Sequence, residues 1–328
     1  MNHRKPGLSG FAARVLGFAT TAVLSLGATA VAAQDWPAGR PVTIVVPTSP
    51  GTASDLIGRE VSQKLSASLG TSVIVDNKGG ASGNIATDFV ARAKPDGHTL
   101  LLGSTSGVIN EISNAPKSRL QKDFDPVALT GSTAFALAVP SSFPARSVSD
   151  LVAEAKRRPG QLNYAGFAGG IANFLGEMLK SSASIDLVMV PYKSTTDAQA
   201  DVISGRVHIW FSSTASVNLA RSNRIRILAM TSSRRVAAAP EIPTMKEAGY
   251  PGMTVEVAFF LLAPAGTPKP VLALLNREIN KAMNNKDVVE RLLLTGVESR
   301  NGTPEDADRA LAADFAQWER IISSTRKN

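Results

Sequence analysis

The stretch Val42-Thr43-Ile44-Val45-Val46-Pro47-Thr48-Ser49-Pro50-Gly51-Thr52-Ala53-Ser54-Asp55 decides the fold. Its first five residues are apolar and β-branched, the composition of a buried strand. A loop of small residues follows, and an acid stands where a helix begins. Ile57, Val61, Leu65 and Leu69 then recur at helical spacing, and Gly70 supplies the stop. A strand thus delivers a backbone-rich loop to a helix N-terminus. Such loops hold anions with main-chain N–H groups and need no catalytic side chain.

Upstream, the chain opens as a secretory leader. Arg4, Lys5 and Arg14 form a positive n-region, Val15 to Ala28 carries no charge, and Val31-Ala32-Ala33 fits small-residue cleavage. Residues 1–33 are read as a signal peptide, which implies export to a periplasm. An uncleaved anchor is the rival reading, but the apolar core is short and diluted by Gly, Ser and Thr.

There is no cysteine among the 328 residues, so disulfides, thiolate metal sites and thiol nucleophiles are excluded. Lys and Arg number 35 against 27 Asp and Glu, a net charge of +8; the leader holds three of those cations and no acid. The excess is dispersed along the mature chain, and aromatics make up only 5%. A nucleic-acid surface would concentrate the charge and interleave aromatics, so nucleic acid is not an expected partner. A mildly positive field favours small anions instead. The mature length suits two lobes.

Short β-branched runs alternate with amphipathic helices, the pattern of βαβ units. Strands are expected at Val42–Val46, Val73–Val75, Thr99–Leu102, Phe135–Val139, Leu162–Ala165, Leu187–Val190, Val207–Phe211 and Ile225–Met230. Five of them run into loops rich in Gly, Ser, Thr and Ala: 47–54, 77–83, 103–107, 166–172 and 191–195. Each loop alone is ordinary turn chemistry. Together they predict a shared cleft at the carboxyl ends of strands, where open α/β sheets bind ligands. The chain ends in helices, the last starting at Thr303-Pro304 with Leu311, Phe315, Trp318 and Ile322 as its buried stripe.

Catalytic motifs are missing: no Gly-x-Ser-x-Gly elbow, no phosphate-loop Gly-x-x-x-x-Gly-Lys and no full Gly-x-Gly-x-x-Gly. His98 and His208, the only histidines past the leader, both stand at strand starts and argue for neither a metal nor a relay. No catalytic residue, metal or cofactor is expected. Asp55 admits two readings, a helix N-terminal charge bracing its loop or a ligand contact. Lys193 is either a solvated lysine or the partner of a distal carboxylate. Tyr192, Phe167 and Phe260 are either pocket walls or core.

Seven motifs in order give the chain a family resemblance. Trp36-Pro37…Arg40-Pro41…Val45-Val46-Pro47…Pro50-Gly51…Asp55 is followed by Asp76-Asn77-Lys78…Gly80-Ala81…Gly83 and Pro95-Asp96-Gly97-His98-Thr99-Leu100. Lys122-Asp123-Phe124-Asp125-Pro126-Val127, Val190-Pro191-Tyr192-Lys193 and Ile242-Pro243-Thr244…Tyr250-Pro251-Gly252 come next, then Ala263-Pro264-Ala265-Gly266-Thr267-Pro268. Over essentially its whole mature length the chain resembles the Bug family, the substrate-binding proteins of tripartite tricarboxylate transporters.

The resemblance implies an α/β, two-lobed, type II-like periplasmic-binding-protein fold, each lobe a mainly parallel sheet flanked by helices. Lobe 1 is expected over 34–136 with a return segment over 258–328, and lobe 2 over 137–257. It implies no enzymatic activity, a monomer, a di-, tri- or aromatic carboxylate as ligand, and the membrane subunits of such a transporter as partners. A sensor kinase is the alternative partner, and an exported enzyme on the same scaffold the remaining alternative. A ligand carboxylate would be held by Thr48, Ser49, Gly51, Thr52, Ala53, Ser54 and Asp55 on one lobe. Gly169, Gly170, Ile171, Ala172 and Asn173 would face it from the other, partly through water. Ser82, Thr105, Ser106, Tyr192, Lys193, Ser194 and Ser212 complete the candidate contacts. Departures from the family pattern fall on these faces: Thr52 replaces a usual Gly, Asn173 a frequent His, and Ser212 a usual Asp.

Overall fold

The computed structural model describes Met1 and residues 36–167 and 170–325. The signal peptide expected over residues 1–33, Met1 aside, and the candidate contact Gly169 lie outside the described residues.

The first elements among the described residues are β1 (Val42–Val46), α1 (Ala53–Leu69), β2 (Val73–Asn77), α2 (Asn84–Ala91), β3 (Thr99–Ser104) and α3 (Thr105–Asn114). A long β4 (Phe124–Pro140) leads to α4 (Val148–Arg157), β5 (Asn163–Gly166), α5 (Ile171–Ala183), β6 (Val188–Pro191) and α6 (Thr195–Ile203). Then come β7 (Ile209–Ser213), α7 (Val217–Arg221), β8 (Ile225–Met230) and β9 (Glu256–Pro264). Helices α8 (Lys269–Met283) and α9 (Lys286–Leu294), the short β10 (Glu298–Ser299) and α10 (Pro304–Thr325) complete it.

The strands run in the order β2-β1-β3-β9-β4-β7-β5-β6, with β8 and β10 also on β4. Two parallel triplets, β2-β1-β3 and β7-β5-β6, stand at the outer ends. The strands between them, β4, β8, β9 and β10, pair antiparallel, so the sheet is mixed. β4 is the shared member. From Phe124 to Ala134 it pairs with β9, and from Phe135 to Pro140 it pairs with β7 and β8. One strand therefore runs through both halves of a two-lobed α/β fold.

Burial follows the sequence pattern where the pattern is strong. Ile57, Val61 and Leu65 of α1 are completely buried, and Gly70 ends that helix in the left-handed region at φ 64°. In α10, Leu311, Phe315, Trp318 and Ile322 are buried, and the helix packs on α3 and β4 and reaches α5. Ser147 caps α4 by accepting the Asp150 N–H.

One expectation changes, and one open alternative resolves to core. The polar segment 103–107 is not a loop: Gly103 and Ser104 pair with Phe260 and Phe259 of β9, and α3 starts at Thr105. Phe260 is no pocket wall. It is completely buried in the middle of the sheet, paired with Gly103 and Leu129.

Candidate functional site

The carboxyl ends of β1, β2 and β3 lie on one edge of their parallel triplet, and a cavity of about 710 Å³ opens there. Thr48, Ser49 and Thr52 line it from the β1–α1 loop, and Gly79, Gly80 and Ser82 from the β2–α2 segment. Ser104 and Ser106 line it at the start of α3. Phe174 of α5 reaches it from the other half of the sheet and packs edge-on against Trp318 of α10, ring centroids 5.5 Å apart.

Asp55 builds the first of these loops. Its carboxylate accepts the Gly51 N–H at 2.9 Å, Arg59 Nε at 2.9 Å and Asn77 Nδ2 at 3.0 Å. Only 2% of the residue is exposed. Burial pushes its acidity toward the neutral form, but the bonds from Arg59, Gly51 and Asn77 and the guanidinium charge prevail and hold its pKa below the ordinary value. Gly51 sits at φ 84°, a region that favours glycine and that aims its amide back at Asp55. Asp55 thus braces the loop through three accepted hydrogen bonds.

Thr52 explains its departure from the family pattern. Its hydroxyl lies 2.6 Å from that of Thr48, donates to Ser49 O at 3.0 Å, and caps α1 by accepting the Asp55 N–H. This leaves the amides of Ala53 and Ser54, at the first turn of a 17-residue helix, with no hydrogen-bond acceptor among the described residues. Free amides and the positive end of the helix dipole make a seat for an anion. Beside it, Ala81 and Ser82 hold left-handed backbone at φ 47° and 55°, strain of the sort found where a loop is shaped for a ligand.

The second half repeats the device. Asn173 Oδ1 accepts the Phe167 N–H at 2.8 Å, Gly170 N–H donates to Phe167 O at 2.8 Å, and Gly170 is the N-cap of α5. Ile171 and Ala172 occupy the first turn, one residue pair from the cavity-lining Phe174.

Other candidates have separate engagements. Thr105 is completely buried, donating to Asp314 Oδ2 at 2.7 Å and accepting the Ala258 N–H at 2.9 Å. Ser212 is buried with its hydroxyl 2.7 Å from that of Ser216. Ser194 caps α6 through the Asp197 N–H, and the Tyr192 hydroxyl donates to Asp201 Oδ2 at 2.6 Å. Lys193 is exposed, and neither it nor Tyr192 or Ser194 lines the cavity. Of the candidate residues, the cavity gathers Thr48, Ser49, Thr52, Ser82 and Ser106.

Phe174 and three lining amides, Asn84, Asn110 and Asn114, were not anticipated. Phe174 follows the anticipated Asn173 directly, but in sequence it reads as one more apolar helix residue. The asparagines sit inside helices, where spacing alone does not show that α2 and α3 face one another.

Among the described residues no cluster of three or more His, Cys, Asp or Glu is placed to hold a metal, and no helix is long and apolar enough to cross a membrane. Among the described residues, the one ionisable group lining the cavity is Glu111, whose carboxylate accepts the Leu120 N–H at 2.7 Å.

A two-lobed α/β frame with an anion seat at the carboxyl edge of its strands is the frame of a solute receptor. The profile of the family described as "Tripartite tricarboxylate transporter family receptor" matches residues 57–326, and the chain belongs to that family of periplasmic substrate-binding proteins. It is 34% identical over 300 residues to the protein BugT of Bordetella pertussis, covering 90% of this chain and 92% of that one. A protein of R. palustris solved with adipate is 32% identical, with TM-score 0.75, over 89% of this chain and 98% of that one. MatC of Rhodopseudomonas palustris, solved with bound malate, is 29% identical, with TM-score 0.71, over 86% of this chain and 99% of that one.

Proposed function

We propose that this protein is an exported receptor that captures a small carboxylate between its lobes and presents it to the membrane subunits of a tripartite tricarboxylate-type transporter. No bond is made or broken. The observation that carries the reading is the first turn of α1, where the Ala53 and Ser54 amides have no acceptor among the described residues and follow directly on Thr52, which lines the cavity with Thr48 and Ser49. A carboxylate there is stabilised by backbone donors without a buried counter-charge. The adipate and malate held by the two R. palustris relatives support that ligand class.

The lobes are assigned as 34–136 with 258–328, and 137–257. The change of partners along β4 between Ala134 and Phe135, and the start of β9 at Glu256, support those limits. The amides of Ile171 and Ala172 at α5, with Asn173 bracing their loop, are the second half's share of the grip. A ligand touching both halves favours the closed state by its differential affinity. The positive leader over 1–33 supports export.

Isothermal titration of the mature chain against aliphatic and aromatic mono-, di- and tricarboxylates tests the reading. Saturable heat with at least one of them, at one site per chain and with the acid recovered unaltered, is the expected result. Silence across the panel, or turnover of the acid, contradicts it.

A further inference from the structure

We infer that Gly166 and Gly176 are positioning residues for the ligand grip: two sockets that pin α5 on β5, so that the first turn of the helix meets the ligand. This rests on the second half's share of the carboxylate grip proposed above and names what holds that share in place.

Neither glycine is there for its backbone. Gly166 ends β5, Gly176 lies inside α5, and neither has a positive φ. A glycine inside a helix weakens it relative to alanine, so packing must require it. A Cβ at Gly176 would stand 2.7 Å from Tyr164 Cδ2 and nearer still to Cζ and Cε2. A Cβ at Gly166 would stand 2.6 Å from Met189 Cγ and nearer still to Asn173 Oδ1. Met189 is an exposed, flexible chain that can swing aside, whereas Asn173 is tied to the Phe167 N–H.

The two contacts run in opposite directions. Tyr164 and Gly166, two apart on the strand, share one face of the sheet; Asn173 and Gly176, three apart, share one face of the helix. The ring on the strand fills the socket on the helix, and the carboxamide on the helix fills the socket on the strand. One such pair would leave the helix free to pivot, whereas two of opposite sense fix both its slide and its angle. Each pair is also hydrogen-bonded: the Tyr164 hydroxyl donates to Glu177 Oε1 at 2.8 Å, and Asn173 Oδ1 accepts the Phe167 N–H at 2.8 Å.

The consequence is felt at the start of α5. Gly170 is its N-cap, Ile171 and Ala172 supply first-turn amides, and Phe174 lines the cavity and packs on Trp318. A methyl in either socket must lift the helix or expel the group that fills it. Displacement of roughly 1 Å is enough to spoil hydrogen bonds aimed at a ligand.

Calorimetric titration of Gly166→Ala and Gly176→Ala with the carboxylate panel above, malate and adipate included, tests this. Each variant should bind roughly tenfold more weakly or worse, the cost of about one misdirected hydrogen bond to a charged group. Alanine is the better helix former at 176, so a loss there comes from the socket and not from the helix. Tyr164→Val empties that socket and should also weaken binding; combined with Gly176→Ala it refills the space and should recover most of the affinity. Fluorine NMR of 5-fluorotryptophan-labelled protein follows the helix itself, because the chain has three tryptophans and Trp318 packs on Phe174 of α5. The Trp318 resonance should shift in both glycine variants, and that of Trp36 should not. Wild-type affinity in both variants overturns the inference, as does lost affinity with the Trp318 resonance unmoved. If Gly176→Ala does not fold, the double variant should fold and bind, and one that folds without binding overturns the inference as well. Each of these outcomes leaves the receptor reading standing, since the wild type still binds. Silence of the wild type across the panel removes that reading and this inference together.

Discussion

Thr105 Oγ1 donates a 2.7 Å hydrogen bond to Asp314 Oδ2, joining the first residue of α3 to the middle of α10. The same hydroxyl accepts the Ala258 N–H of β9 at 2.9 Å. Asp314 is 8% exposed, and burial pushes its pKa up to about 6; the Thr105 bond and the nearby Trp318 indole pull down more weakly. The indole N–H itself meets no acceptor at hydrogen-bond geometry.

A carboxyl raised in the folded state stabilises the fold below its unfolded pKa and loses that contribution as pH climbs through about 6. The displacement is worth about 3 kcal/mol. Asp314→Asn keeps an acceptor for Thr105 and removes the buried charge. Its unfolding free energy should exceed the wild type's by up to about 3 kcal/mol at neutral pH, and the gap should close near pH 4. Denaturant melts across that range check it; a gap independent of pH would refute the assignment.

Asp55 behaves oppositely. Its lowered pKa means its contribution is present above the unfolded value and fades as pH falls through the folded one. Asp55→Ala strands the Gly51 amide, the Asn77 side chain and the Arg59 guanidinium, and should cost about 1–3 kcal/mol. Affinity should fall with it because the loop loses its brace. A stable variant with intact affinity would show that the loop holds its shape without Asp55.

Thr52→Ala should cost about 1 kcal/mol of stability through loss of the α1 cap. Thr52→Ser retains the capping oxygen and should recover most of it. Thermal melts of the pair separate the capping role from the methyl's packing.

Phe174→Ala should weaken binding more than it destabilises the fold, because that ring faces the cavity from the second half while Trp318 stays packed in the core. Equal losses in both measurements would mark it as core alone.

The β1–α1 unit was legible in sequence because its signals are local: a β-branched run, a small-residue loop, a periodic stripe and a terminal glycine. What escaped depends on partners far along the chain. Gly103 and Ser104 look like loop until β9 pairs with them from some 150 residues away, and Phe260 looks available until that pairing buries it. In the first part of β4, Phe124 to Ala134, only the motif Lys122–Val127 stands out in sequence, because β9 supplies the strand partner. Ile85 and Phe89 lie on the outer face of α2, half exposed, with the Lys78 ammonium 4.6 Å from the Phe89 ring centroid. At the site, loop membership was readable, whereas Thr105 and Ser212 facing inward, and the asparagines that line the cavity from α2 and α3, are matters of packing.

Backbone amides at the start of α1 are the heart of the account, and Ala53→Pro addresses them with little disturbance. Position 53 opens the helix, where proline is at home, and Thr52 already has the extended backbone that precedes proline comfortably, φ −78° and ψ 164°. The substitution deletes one N–H and spares every side chain. Titration of this variant with the carboxylate that the wild type binds best should show affinity reduced by about 1–3 kcal/mol at an unchanged melting temperature. Affinity within error of the wild type would contradict an amide-held carboxylate at this loop.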